Sequence, residues 1–191
     1  VKIQITSFSE NTAEEVENAL KKAEEDGAKG IILDMRQNPG GLLDQAHKIA
    51  NMFVDGGKIL YQVEDRNGNK EITKASGNGY KVNLPTAVLI DEGSASASEI
   101  VAAALKESAD IPLIGVKSYG KGTVQTAQDF NDGSKLKYTA AKWLTPDSNW
   151  IHKKGITPDV KVELPAYANL TYVDPEEELK EGTSSADVEN I

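Results

Sequence analysis

The stretch Ala87-Val88-Leu89-Ile90-Asp91-Glu92-Gly93-Ser94-Ala95-Ser96-Ala97-Ser98-Glu99-Ile100 holds the pattern on which the fold turns. Its first five residues form a bare apolar run of strand length. From Ala97 onward, Ala97, Ile100, Val101, Ala104 and Leu105 recur at helical spacing. The stretch therefore predicts strand, tight turn and helix, with small residues packed into the turn. Two readings of its serines stand at this point. One is a serine N-cap surrounded by small residues for close packing. The other is a nucleophile on an exposed bend, beside free N–H groups at a helix N-terminus that can hold an oxyanion.

A second unit of the same kind lies upstream. Gly30-Ile31-Ile32-Leu33-Asp34-Met35 predicts a buried strand running into Arg36-Gln37-Asn38-Pro39-Gly40-Gly41, and Leu42 opens a helix with Leu42, Ala46, Ile49 and Phe53 as its stripe. Paired glycines at such a turn either satisfy turn geometry alone or bring backbone N–H groups close to a ligand. There is no G-x-G-x-x-G and no Gly-Lys-Ser/Thr to make either turn a nucleotide fingerprint. Further out, Val1–Thr6 alternates as a strand, and Thr12-Ala13-Glu14-Glu15 carries a capping-box pattern ahead of the face Val16, Ala19, Leu20 and Ala23. Residues 58–64 and 70–74 read as a hairpin around Asn67-Gly68. Residues 111–116 give another short strand, 123–128 and 134–143 an antiparallel pair, and 160–164 a last strand. These pieces predict an α/β fold: a mixed β-sheet with helices packed on it. Residues 1–165 form one domain on this reading, and the acidic, small and polar stretch 166–191 forms a linker or tail.

Composition removes several function classes. The 191 residues include no cysteine, so disulfides, thiolate metal sites and a cysteine nucleophile are excluded. A formal charge of −9 argues against nucleic acid as the main partner. No apolar run approaches the ~20 residues that a membrane-spanning helix needs. Only His47 and His152 are present, which leaves no multi-histidine metal site and few bases for a Ser-His-Asp triad. His47, beside the apolar stripe of its helix, reads as a helix-face residue.

A serine hydroxyl is protonated at neutral pH and needs a base to become a nucleophile. With histidine scarce, lysine is the natural candidate, because burial favours the neutral amine that accepts a proton. Lys121 stands between Gly120 and Gly122 at the end of an apolar strand, a surface turn by default but also a place where an amine can be aimed inward. A neutral amide such as Gln125 could orient that amine without adding negative charge. Lys121 and Gln125 are four residues apart, roughly 13 Å along a straight strand, so the chain must turn or bulge if the two are to meet.

Four motifs then follow one another in order: Asp34-Met35-Arg36-Gln37-Asn38-Pro39-Gly40-Gly41, Gly93–Glu99, Gly120-Lys121-Gly122-Thr123-Val124-Gln125 and Lys154-Gly155-Ile156-Thr157-Pro158-Asp159. Together they resemble the protease core of the carboxy-terminal processing peptidases, the tail-specific serine endopeptidases, over about residues 1–164. The resemblance implies a crotonase-like and Clp-protease-like α/β core and a Ser-Lys dyad. It assigns the nucleophile to Ser96, the general base to Lys121, the residue positioning that base to Gln125, and the oxyanion hole to the N–H groups of Gly41 and Ala97. Ser94 and Ser98 become structural. No metal or organic cofactor is implied.

It further implies protein or peptide substrates with an accessible C-terminus and a location outside the cytoplasmic membrane in bacteria. Relatives carry a PDZ domain that captures the substrate C-terminus as an added strand; this chain holds the core without it, so the PDZ domain is expected in the full-length protein. Residues 179–188 resemble the opening of a peptidoglycan-binding repeat. Two rival functions are an isolated peptide-binding core whose site is misaligned without its PDZ domain, and a crotonase-type enzyme acting on acyl-CoA.

Overall fold

A computed structural model describes residues 1–163; the end of the expected last strand at Leu164 and the expected tail 166–191 lie outside the described residues. In chain order the elements are β1 (Lys2–Gln4), α1 (Thr12–Glu25), β2 (Ile31–Asp34), α2 (Leu43–Phe53), β3 (Ile59–Glu64), β4 (Lys70–Lys74), β5 (Thr86–Ile90), α3 (Ala97–Ala109), β6 (Leu113–Gly115), β7 (Thr123–Asp129), β8 (Lys135–Leu144) and β9 (Val160–Lys161). The α/β class holds, with its parallel and antiparallel strands sorted into two sheets. One is five-stranded and all parallel, in the order β1-β2-β5-β6-β9; the other is four-stranded and antiparallel, in the order β4-β3-β8-β7.

The parallel sheet follows from the bare apolar runs. Leu33 pairs with Val88 and Val88 with Leu113, and all three side chains are fully buried. These three in-register residues lie on the sheet's core face, while on the other face Ile32 is 42% exposed. The hairpins are local: Asp65 accepts hydrogen bonds from the Asn67 and Asn69 amides and closes the β3–β4 turn.

Helix α1 buries Val16, Leu20 and Ala23, the face expected of it. Its start differs from expectation. Thr12 is the first helical residue, and its hydroxyl accepts from the Ser9 amide and donates to the Ser7 carbonyl, so it ties down the preceding loop instead of capping the helix. Helix α3 is buried on every side from Ala97 to Leu105, Ala102 and Ala103 included, because it packs against both α2 and β3. A helix apolar all round belongs in the interior. Its N-terminus is thereby held rigidly at the ends of β2 and β5, where the glycine-rich turns lie. Among the described residues, no helix is long and apolar enough to cross a membrane.

Candidate active site

The alternating serines of the β5–α3 turn have different fates. Ser94 is fully buried and donates to the Met35 carbonyl at 2.8 Å; Ser98, also fully buried, donates to the Asn38 carbonyl at 2.9 Å. Their hydroxyls are committed to stitching the two glycine-rich turns together. Ser96 sits between them with φ 56° and ψ −113°, a conformation that L-residues rarely adopt. Such strain, of order 1–3 kcal/mol, persists only where the surroundings impose it. Here they do: the Ser96 amide donates to Glu99 Oε2 at 2.9 Å, and the Ala95 amide donates to the Asn38 carbonyl at 3.0 Å.

The Asn38–Gly41 turn presses against that bend. A Cβ on Gly40 (φ +101°) would lie 2.8 Å from Ser96 Cβ and 2.9 Å from the Ala97 nitrogen. A Cβ on Gly41 (φ +149°) would lie 2.2 Å from the Phe8 carbonyl oxygen. Only glycine permits both approaches. Gly41 is bridged in parallel to Phe8 by bonds that use Gly40 O and Leu42 N, leaving its own N–H unused. Among the described residues, neither the Gly41 nor the Ala97 N–H donates to a protein acceptor. Asn38, fully buried, fixes the turn by donating to the Ile5 carbonyl and accepting from the Gly40 amide.

Glu99 joins the serine turn to the lysine. Its carboxylate is fully buried, and Oε1 accepts from Ser118 Oγ (2.6 Å) and the Gly120 amide (2.7 Å), while Oε2 accepts from the Ser96 amide and the Lys121 amide (both 2.9 Å). No role was assigned to Glu99 from sequence, yet Ser96-x-x-Glu99 is a capping-box pattern as legible as the one at Thr12.

Ser96, Lys121, Gln125 and Gly41 line one cleft of about 280 Å³. Apolar side chains of Leu43, Tyr61, Val63, Ile100 and Trp143 line it too. Strand β7 begins at Thr123, and its pairing with β8 shifts register between Val124 and Gln125, a bulge within the segment where the spacing of Lys121 and Gln125 required a turn or bulge. The Ser96, Lys121 and Gln125 side chains form no hydrogen bond with one another; catalytic contacts often tighten only in the substrate complex. His47 lies outside the cleft with its ring edge-on to Tyr61, and burial, helped by Lys48, pushes its pKa down. Among the described residues, no cluster of His, Asp and Glu could hold a metal ion. A serine with partnerless N–H groups nearby and an amine in the same cleft is equipped for acyl transfer.

Comparison with known proteins points the same way. The family model described as Peptidase family S41 matches residues 2–162. The chain is 56% identical over 186 residues to the carboxy-terminal processing protease CtpA of Bacillus subtilis (strain 168), covering 97% of this chain and 40% of that protein. It is 43% identical over 191 residues to the "Probable CtpA-like serine protease" of Staphylococcus aureus (strain COL), covering 99% of this chain and 38% of that protein. The fold matches the solved structure of a photosystem II D1 C-terminal processing protease with a TM-score of 0.79 and 36% identity, covering 85% of this chain and 42% of that one. The chain thus spans about two fifths of the length of these relatives.

Proposed function

Because this chain belongs to peptidase family S41, we propose that it is the catalytic core of a serine endopeptidase that cuts protein substrates near their C-termini. Ser96 is the nucleophile, Lys121 the general base, and Gln125 the residue that orients the amine. The observation that carries this reading is the strained Ser96 bend, sharing a cleft with an amine and set beside the partnerless N–H groups of Gly41 and Ala97.

Ser96 Oγ attacks the scissile carbonyl carbon while its proton passes to the Lys121 amine. The carbonyl oxygen becomes an oxyanion, held by the Gly41 and Ala97 N–H groups, which stabilise charge that exists only after attack. Collapse breaks the C–N bond, and the Lys121 ammonium gives its proton to the departing amine. A water molecule then loses a proton to Lys121 as it attacks the acyl ester, releasing the acid and restoring the Ser96 hydroxyl. The apolar cleft wall formed by Val63, Ile100 and Trp143 suits an uncharged side chain next to the cut.

The same reading takes residues 1–165 as the catalytic core and 166–191 as an acidic linker or tail. It also carries a C-terminus-binding PDZ domain elsewhere in the protein and a place outside the cytoplasmic membrane. Both rest on the likeness to carboxy-terminal processing proteases.

The test is cleavage of an unfolded model protein by the chain, beside Ser96→Ala and Lys121→Ala. Loss of roughly 10³-fold or more in kcat in both variants supports the dyad. Equal cleavage by parent and Ser96→Ala sinks the assignment of the nucleophile. A parent that is silent until a PDZ domain is restored supports the rival reading of a misaligned core.

A further inference from the structure

The backbone of the lysine segment is gripped by two indole rings. Trp143 Nε1 donates to the Lys121 carbonyl at 2.7 Å, and the Gly122 carbonyl accepts from Trp150 Nε1 at 2.8 Å and, more loosely, from the Trp143 amide at 3.3 Å. With the Lys121 amide bound to Glu99 and the Gly120 carbonyl accepting from the Lys153 amide (2.8 Å), the peptide groups on both sides of Lys121 are engaged. Trp143 is almost fully buried and lines the cleft, so a role in packing accounts for it. Trp150 is different. It is 39% exposed and is not part of the cleft wall.

An exposed tryptophan outside the core needs another reason for its fixed pose, and the contacts supply one. Its ring stacks on His152 (centroids 5.4 Å apart, planes at 21°) and lies under Lys142 Nζ at 4.8 Å from the centroid. Lys142 is in turn held by Glu64 at 3.2 Å. Gly122 has no room for a side chain because the His152 nitrogen and Trp150 Nε1 crowd it; a Cβ would meet them at 2.8 and 3.0 Å. The ring is held by His152 and Lys142 with its single N–H on the carbonyl of the residue after Lys121.

We propose that Trp150 is a positioning residue for the dyad, fixing through the Gly122 carbonyl the direction in which the Lys121 side chain leaves the backbone toward Ser96. This rests on the reading of Lys121 as the base. A lysine amine on four rotatable bonds gains most from a fixed starting point, since small misplacements of a reacting group are costly.

Trp150→Phe keeps an aromatic ring to face His152 and Lys142 and removes the N–H together with the pyrrole part of the indole that carries it. Steady-state cleavage of an unfolded model protein by the variant is expected to show kcat lower by roughly tenfold with KM unchanged. Trp150→Phe with the kcat of the parent overturns the inference. Should Ser96→Ala cleave as well as the parent, or the parent not cleave, the reading of the dyad is what fails. Competitive labelling by acetic anhydride, read by peptide mass spectrometry against exposed Lys48, then decides on Trp150 without turnover. Faster labelling of Lys121 in Trp150→Phe upholds the inference, and an unchanged rate overturns it.

Discussion

Ser96 stores strain in the bond angles of rotation that aim its hydroxyl, and this has a measurable consequence. Its φ 56°, ψ −113° is a corner that glycine enters freely and any residue with a Cβ enters at a cost. Ser96→Ala removes the hydroxyl and keeps the strain, whereas Ser96→Gly removes both. The glycine variant is therefore expected to be more stable than the alanine variant by about 0.5–1 kcal/mol, after allowing for the greater freedom of glycine in the unfolded chain. Urea midpoints of the two variants check it; a less stable glycine variant would mean that the turn imposes no strain. At this scale the sequence was only partly legible. Ser94, Ser96 and Ser98 are chemically identical and evenly spaced, and resemblance alone singled out the middle one. What distinguishes them physically is the carbonyls of Met35 and Asn38, which come from another turn and claim the outer two hydroxyls.

Helix α3 does more than present Ser96: its first turn carries the carboxylate that positions the lysine segment. Glu99 takes four hydrogen bonds, from Ser96 and Lys121 on one oxygen and from Ser118 and Gly120 on the other. In Glu99→Gln one oxygen becomes an NH₂ that faces two donors, so two buried donors lose their acceptor. Stability should fall by ~3 kcal/mol and kcat by roughly 10²-fold. Denaturant unfolding and cleavage assays measure the two effects, and parent-like values of both would show that Glu99 holds nothing together. Elements built from local pattern were readable from sequence: the apolar strands, the Asn-Gly hairpin, the stripe of α1 and the Ala46 and Ile49 part of that of α2, whereas Leu42, expected to open α2 in its stripe, is exposed and caps the helix instead. The order of the parallel strands was not readable, because a bare apolar run does not name its neighbour. Nor was the capping pattern decisive on its own, since Thr12 and Ser96 both carry it and only Ser96 uses it at a helix start. The β7–β8 pair was legible, but the point at which its register shifts, between Val124 and Gln125, has no local signal.

The whole molecule's response to acid follows from three groups whose proton affinities change on folding. Burial, with Lys48 adding to it, pushes the His47 pKa below its ordinary value, so the unfolded chain binds that proton at higher pH than the folded one. Stability then falls as pH drops below the unfolded histidine value of about 6.5 and stops falling on this account below the folded value. Two carboxylates act lower on the scale. Burial pushes Asp34 up, but the Arg36 guanidinium and amide, with Lys2 nearby, outweigh it and hold the carboxyl below the usual range. Burial likewise pushes Asp159 up, and the Leu113 amide and Lys106 outweigh it. A carboxylate held low contributes stability above its unfolded value of about 3.9 and loses it as pH falls through the folded value. These positions matter to the fold: Asp34 ends β2 where the first glycine-rich turn begins, and Asp159 ties β6 and α3 to the strand β9. The expected profile of urea midpoint against pH is a plateau above pH ~7, a first decline near pH 6 and a steeper one below pH 4. His47→Gln should remove the first decline and leave the second. Asp34→Asn should lower the plateau, because a neutral amide replaces the partner of Arg36, and make the second decline shallower. A first decline that survives in His47→Gln would reassign it to another group, and a second decline of full depth in Asp34→Asn would mean that the Arg36 pair contributes nothing to acid sensitivity.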